Sequence, residues 1–430
     1  MLSLKCLLAY WILLFFVFRC IVPSLGVSCK GFGHHNPPDD WFVLYKLPRK
    51  INDENRLVQK GNAFIYMTSN QQKWAFSEIG IDEKYTPIYN TLQQIYDRPN
   101  NSGLDFGMYN DQPPNTERVA TIAGQTKGAF AFDELGGFWM ITSTPRFPMP
   151  HNSKNTYVFP ERFLESSQII FCLSLDKDQK QTLKNSIFRV TIPYNYSGVW
   201  DIPERTPPSS DIMIENVGTG YIYFTKHRRT EKDVFEFARR RLSRREMTVH
   251  TTPRTSAELK NNRMRQVRLL TFMLPLPNPH VLQWMSSSDS SKWAVTKDFI
   301  CIGDLNRNEQ QLSRGGGLLC MRNHEVAAQF ESLVACSSVL NEDVSYVGYV
   351  VEAVADMFVC CFWSYNYYED RVFCWIITTT IVIICSVIIL KRQRQASKNK
   401  NEKTENLIPE PETNTQINEQ NKNPEAQQKQ

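Results

Sequence analysis

Residues 372–390 carry no charge over 19 consecutive positions, and this stretch constrains everything upstream of it. It is rich in Ile and Val, and as a helix it would extend about 28 Å, enough to cross a hydrocarbon core. Glu369-Asp370 precede it and Lys391-Arg392-Gln393-Arg394 follow it. Positive charge stays on the cytoplasmic side, so the C-terminus is expected in the cytosol and the preceding chain in the lumen or outside the cell. At the other end, Lys5 leads into an apolar run of 13 residues, 6–18, and then Ser24-Leu25-Gly26. That run is too short to span a bilayer and fits the core of a secretory signal over 1–26. The expected topology is a single-pass type I membrane protein of the lysosome, endosome or cell surface.

The ectodomain, 27–371, must then fold in water. The chain is 42% hydrophobic and 12% aromatic, ample for a packed core, which excludes a largely disordered protein. A mean hydropathy of −0.39 excludes a polytopic membrane protein. The net charge of +5 is too small to make the whole surface a polyanion binder, so any such site must be local. There is no Cys-x-x-Cys pair and no His-Glu-x-x-His, and no metal or cofactor is expected. The last segment, 391–430, has seven Asn, seven Gln, eight basic and six acidic residues but almost nothing apolar. It cannot bury enough surface to offset ordering entropy and is expected to be a disordered cytosolic tail.

Period-two or short apolar runs predict strands at 41–45, 129–133, 138–142, 168–175, 187–192, 221–225 and 267–274. A helix is expected over 230–246, where Thr230 and Asp233 have capping-box spacing, and another over 324–334. Interleaved strands and helices predict a mixed α/β class. Asn100-Asn101-Ser102 and Asn195-Tyr196-Ser197 are glycosylation sequons. Seven cysteines lie in the ectodomain, at 29, 172, 301, 320, 336, 360 and 361, so at least one is left over in an oxidising compartment.

Several motifs then occur in a telling order. Cys29 leads into Asp40-Trp41-Phe42-Val43-Leu44-Tyr45-Lys46-Leu47-Pro48, followed by Met108-Tyr109-Asn110-Asp111-Gln112-Pro113-Pro114 and Gly124-Gln125-Thr126-Lys127-Gly128. Asp133-Glu134-Leu135-Gly136-Gly137-Phe138-Trp139 and Ser143-Thr144-Pro145-Arg146-Phe147-Pro148 come next. The second half has Ser291-Lys292-Trp293, Gly303-Asp304-Leu305-Asn306-Arg307-Asn308 and Arg314-Gly315-Gly316-Gly317-Leu318-Leu319-Cys320. Together these resemble the deoxyribonuclease II family over roughly the whole ectodomain. The resemblance implies a pseudo-dimer of two phospholipase-D-like halves, 27–205 and 206–358, each a β-sheet flanked by helices, with 359–371 as a juxtamembrane segment. It also implies DNA as substrate and two His-x-Lys motifs in one metal-independent site. One imidazole would attack phosphorus, the other would protonate the leaving oxygen, and the lysines would stabilise the phosphoryl group. Asn306 would bind phosphate, and Cys29–Cys172 and Cys301–Cys320 would be disulfides. Ala294 stands where the family has a further Cys, which would orphan Cys336.

The sequence departs from the family at the decisive positions. Its motifs read Gln125-Thr126-Lys127 and Ser290-Ser291-Lys292, so both lysines are present and both imidazoles are absent. An amide is neither a useful nucleophile nor a proton donor of suitable pKa. A serine would need an adjacent base, and the local sequence offers none. A rescue would have to come from His34, His35, His151, His227, His250, His280 or His324, placed to a fraction of an ångström.

Between Lys226 and Arg268 there are fourteen basic residues and five acids, including Arg239-Arg240-Arg241. On the expected helix Val234, Phe237, Ala238 and Leu242 face inward and the arginines face solvent, a footprint for a phosphate backbone. The reading is a degenerate, membrane-anchored family member that holds DNA or another polyanion without efficient cleavage. Its alternatives are an active acid endodeoxyribonuclease, and an adhesion or signalling ectodomain on the same scaffold.

Overall fold

The structure, a computed structural model, describes residues 26–98, 103–114, 124–150, 157–197, 211–243, 245–252, 259, 261, 263–275 and 279–334. The 372–390 span, the tail, the sequon at Asn100, His151, Cys336, Cys360, Cys361 and all but the last residue of the signal region lie outside them. No helix among the described residues is long and apolar enough to cross a membrane.

The described chain is mixed α/β and mostly sheet. The first sheet draws eight strands from β1 (Trp41–Lys46), β2 (Phe64–Thr68), β3 (Gln71–Phe76), β4 (Asp105–Asn110), β5 (Lys127–Phe132), β6 (Gly136–Thr142), β7 (Gln168–Asp176) and β8 (Asn195–Ser197). Their spatial order is β8-β4-β5-β6-β7-β1-β2-β3, antiparallel throughout. The second sheet has seven: β9 (Met213–Asn216), β10 (Tyr221–Lys226), β11 (Met247–His250), β12 (Met264–Gln266), β13 (Trp293–Val295), β14 (Phe299–Gly303) and β15 (Gly316–Arg322). Their order is β9-β10-β15-β14-β13-β11-β12, with β11 and β12 parallel. A separate hairpin pairs Leu269–Leu274 with His280–Met285. The helices are α1 (Arg56–Lys60), α2 (Pro87–Tyr96), α3 (Lys180–Val190), α4 (Val234–Leu242), α5 (Glu309–Leu312) and α6 (His324–Ser332).

Alternation along the strands sorts the side chains into three cores. Trp41, Val43 and Tyr45 of β1 point into one core with Tyr223, Trp293, Val295, Leu319 and Met321 of the second sheet. Phe42 and Leu44 point the other way, onto Ile88, Leu92 and Ile95 of α2. The second sheet repeats the pattern: Phe224, Ala294 and Leu318 face Val234, Phe235 and Ala238 of α4. Central strands such as β1, β5 and β13 are buried on both faces, so their sequences read as continuous apolar runs rather than clean alternations. Each outer core also holds one expected disulfide, Cys29–Cys172 beside α2 and Cys301–Cys320 beside α4.

Three expectations need correction. The segment 187–192 is not a strand. Leu183, Ile187 and Val190 fall on one face of α3 and are buried there, so the short apolar run was the end of a helical stripe. The 230–246 helix is shorter and starts later. Asp233, not Thr230, caps it, accepting from the Phe235 and Glu236 amides. Its inward face carries Phe235 and also Arg239, whereas Phe237 and Leu242 are only partly buried. Finally, 267–274 divides: β12 ends at Gln266 and the hairpin strand begins at Leu269.

Candidate functional site

Both motif lysines stand at the mouth of a three-strand meander. Lys127 opens β5, which leads to β6 and β7, and Lys292 directly precedes β13, which leads to β14 and β15. The two arms meet where the Gln125 amide donates to the Gly315 carbonyl at 2.8 Å. Glycine is needed on this crossing. A Cβ on Gly124 would lie 2.7 Å from the Val190 carbonyl oxygen and 2.9 Å from that of Gly315.

On the first arm the Lys127 ammonium contacts the Asp111 carboxylate, and the Arg314 guanidinium reaches the other Asp111 oxygen at 3.7 Å. The Gln125 amide oxygen and the Thr126 hydroxyl are buried there without a hydrogen-bond partner. On the second arm the Lys292 ammonium donates to the Ser290 carbonyl at 2.9 Å. Burial, and then the like charge of Lys127, lower the Lys292 ammonium to about 8, so the lysines of the two arms feel one another.

A second carboxyl faces the same pair. Asp304 follows β14, is buried, and accepts the Gly317 N–H at 2.9 Å. Burial pushes it up to about 7 against the opposing pull of that N–H and of both lysines. Asp289, next to Ser290, behaves in the opposite way. It accepts from the Tyr45 hydroxyl at 2.7 Å, the Trp284 indole at 2.8 Å and the Ser291 amide at 2.7 Å. Burial alone would raise it, but His250 and the donors hold it at about 2. Tyr45 comes from the first sheet, so this buried hub fastens the second arm to the first half.

The structure therefore brings Gln125, Lys127, Ser290 and Lys292 to one junction. Among the described histidines, none hydrogen-bonds to any of the four. His250 is fully buried, tilted against Trp293 with ring centroids 5.3 Å apart, and its Nε2 lies 3.4 Å from Asp289. His280 sits on Asp53, and the His34 ring lies against Tyr85. Asn306 is buried, and its amide oxygen has no partner. It lines a recess with Lys226, Arg307 and Gln311.

The arginine triplet does not act as a unit. Arg239, 5% exposed, is spent on both Glu236 oxygens and the Arg245 carbonyl. This corrects the expectation that all three face solvent: the helix turn aims position 239 inward. Arg240 has a side chain 71% exposed with one contact to Glu236, and Arg241 is exposed and lies 5.9 Å over the Phe237 ring. The motifs contained Asp111, Asp304 and Arg314, but sequence reasoning assigned them no role. Their only signal was membership of those motifs and, for Arg314, a place directly before a glycine run.

The chain matches the deoxyribonuclease II family over residues 28–338. Rat deoxyribonuclease-2-alpha (Rattus norvegicus) is 31% identical over 338 residues, covering 73% of this chain and 95% of that protein. Plancitoxin-1 of Acanthaster planci is 29% identical over 346 residues, covering 73% and 92%. Cell death-related nuclease 6 of Caenorhabditis elegans is 27% identical over 354 residues, covering 73% and 91%.

Proposed function

The chain belongs to the deoxyribonuclease II family, and we propose that it is a membrane-tethered, degenerate member that holds DNA or a related polyanion without cutting it efficiently. One observation carries this reading: two lysines and an arginine converge on a buried junction whose imidazole positions are Gln125 and Ser290. Cations and polar donors stabilise a phosphate, but without a nucleophile and an acid the phosphorus–oxygen bond stays intact.

The scaffold supports a pseudo-dimer of phospholipase-D-like halves. The orders β4-β5-β6-β7-β1 and β11-β13-β14-β15-β10 correspond strand for strand, each with its motif lysine at the head of the second strand. The name of the rat relative, a deoxyribonuclease, points to DNA as the ligand. The uncharged 372–390 span supports anchoring to a lysosomal, endosomal or cell-surface membrane, with Asn195 glycosylated on the lumenal side.

The test is plasmid nicking by the detergent-solubilised full-length chain at about pH 5 in EDTA, where a charged imidazole would be available as an acid. The native chain should leave the plasmid intact. A Gln125→His, Ser290→His double variant should regain nicking, since losing the nucleophile of a hydrolase costs on the order of 10⁶ in kcat. Nicking by the native chain at the rate of the rat enzyme would establish the active-endonuclease reading instead. Absence of DNA binding at any salt concentration would favour an adhesion or signalling scaffold.

A further inference from the structure

We infer that Asp304 is a proton switch for this site: an anionic phosphate ligand is captured together with a proton that Asp304 takes up, so the ligand is held in acid and released towards neutral pH. The inference rests on the phosphate-binding reading above and adds its regulation.

Two carboxyls of one buried cluster have unequal partners. Asp111 has a cation on each oxygen, Lys127 on one and Arg314 on the other. Asp304 receives one backbone N–H, from Gly317, and among the described residues no cation lies within ion-pair distance of it. Lys127 and Lys292 act on it only from further away. Transferring a carboxylate from water costs several kcal/mol unless a counter-ion sits against it. Asp304 therefore escapes that cost by keeping its proton, and its pKa near 7 follows from this geometry. Of the two, Asp111 is flanked by cations, and Asp304, which has none against it, is the one placed to exchange protons.

The other groups facing Asp304 do not replace it. The hydroxyls of Tyr109 and Tyr223 are buried and raised well above their ordinary range, so they stay neutral. Asp289 also acts on Lys292, but it is held at about 2 and stays ionised throughout this range. With Asp304 neutral, Lys127, Lys292 and Arg314 confront Asp111 alone, and the surplus of positive charge suits a phosphate. Ionising Asp304 cancels part of that surplus and places a negative charge beside the ligand. Lys292, lowered to about 8, loses its proton at still higher pH and pushes in the same direction. A ligand that prefers the protonated site must raise the site's proton affinity by the same factor. No bond to phosphorus forms or breaks; the only transfer is of a proton from solvent to the Asp304 carboxyl.

The experiment is calorimetric titration of the detergent-solubilised full-length chain with a random-sequence duplex oligonucleotide, near pH 7, in two buffers of different ionisation enthalpy. Native protein should take up a fraction of a proton on binding, and its affinity should fall by up to about fourfold between about pH 5.5 and pH 7.5. Asp304→Asn keeps an acceptor for Gly317 and is permanently neutral. It should bind without that uptake, with a flatter pH dependence. Uptake undiminished in Asp304→Asn, or native binding without uptake, overturns the switch while leaving the phosphate reading intact. Absence of binding at every pH overturns both. If the variant does not fold, an infrared difference spectrum of the native chain decides the question. A protonated carboxyl band should grow when oligonucleotide is added near pH 7, and its failure to grow overturns the inference.

Discussion

Position 125 carries an amide whose oxygen is buried without a hydrogen-bond partner, while at 290 a hydroxyl follows the buried Asp289. The second arm is therefore held by Asp289 rather than by the Ser290 hydroxyl. Removing that carboxylate strands the Tyr45 hydroxyl, the Trp284 indole and the Ser291 amide, and takes away the oxygen 3.4 Å from the His250 ring. Asp289→Ala should cost about 3–5 kcal/mol in urea unfolding, the scale for breaking a buried charge network from one side. A loss below 1 kcal/mol would show that the hub is incidental. Because this carboxyl is held at about 2, below its unfolded value, its contribution is present above about pH 4 and disappears as pH falls towards 2. The Asp304 carboxyl has the reverse sign. Neither state was legible in the sequence, where both are an aspartate near a motif; the neighbours that set them come from other strands and, for Tyr45, from the other sheet.

The elements show where sequence reading succeeds and where it stops. Strands such as β1, β5, β6 and β7 were visible because their buried faces leave long β-branched and aromatic runs. The motif lysines were legible only through the resemblance to the family's motifs. Helix α3 was misread at 187–192 because its stripe is sparse and its outer face carries Lys and Gln, so only the last apolar residues stood out. In α4 the cap lies three residues beyond the expected Thr230, where Asp233 both caps the helix and pairs with Arg307 at 2.8 Å. The three arginines consequently predict different outcomes. Neutralising Arg240 and Arg241 to Gln should weaken DNA binding and lower the salt slope by about 2, one per phosphate contact, with little change in stability. Arg239→Ala should instead lower the unfolding free energy by about 2–3 kcal/mol, because Glu236 and the Arg245 carbonyl lose a buried charged partner. Equal effects of all three substitutions on DNA affinity would contradict this division.

On the scale of the molecule, buried ionisable groups give the fold a stability profile tilted towards acid. Asp304 is raised to about 7, so its contribution is complete below the unfolded value near pH 4 and is lost as pH rises through 7. Two buried lysines end corresponding strands of the two sheets, Lys46 closing β1 and Lys226 closing β10, and both donate to backbone carbonyls. Burial lowers them to about 7 and about 8, so each favours the fold above the unfolded value near pH 10 and loses that contribution as pH falls through its folded value. The carboxyl term falls across the range where the lysine terms have not yet begun to rise. A minimum close to neutrality follows, with firmer folding on its acid side. Thermal unfolding of the full-length chain should therefore give a higher Tm at about pH 5 than at about pH 7, with a slope of at most about 1.4 kcal/mol per pH unit from one titrating group. Asp304→Asn should level that acid limb and leave the alkaline rise in place, since the lysines that produce it lie on other strands. A Tm that rises steadily from pH 5 to pH 8 in the native chain would mean that Asp304 is ionised throughout, and the charge surplus assigned to the junction would then be too small to select an anion by pH.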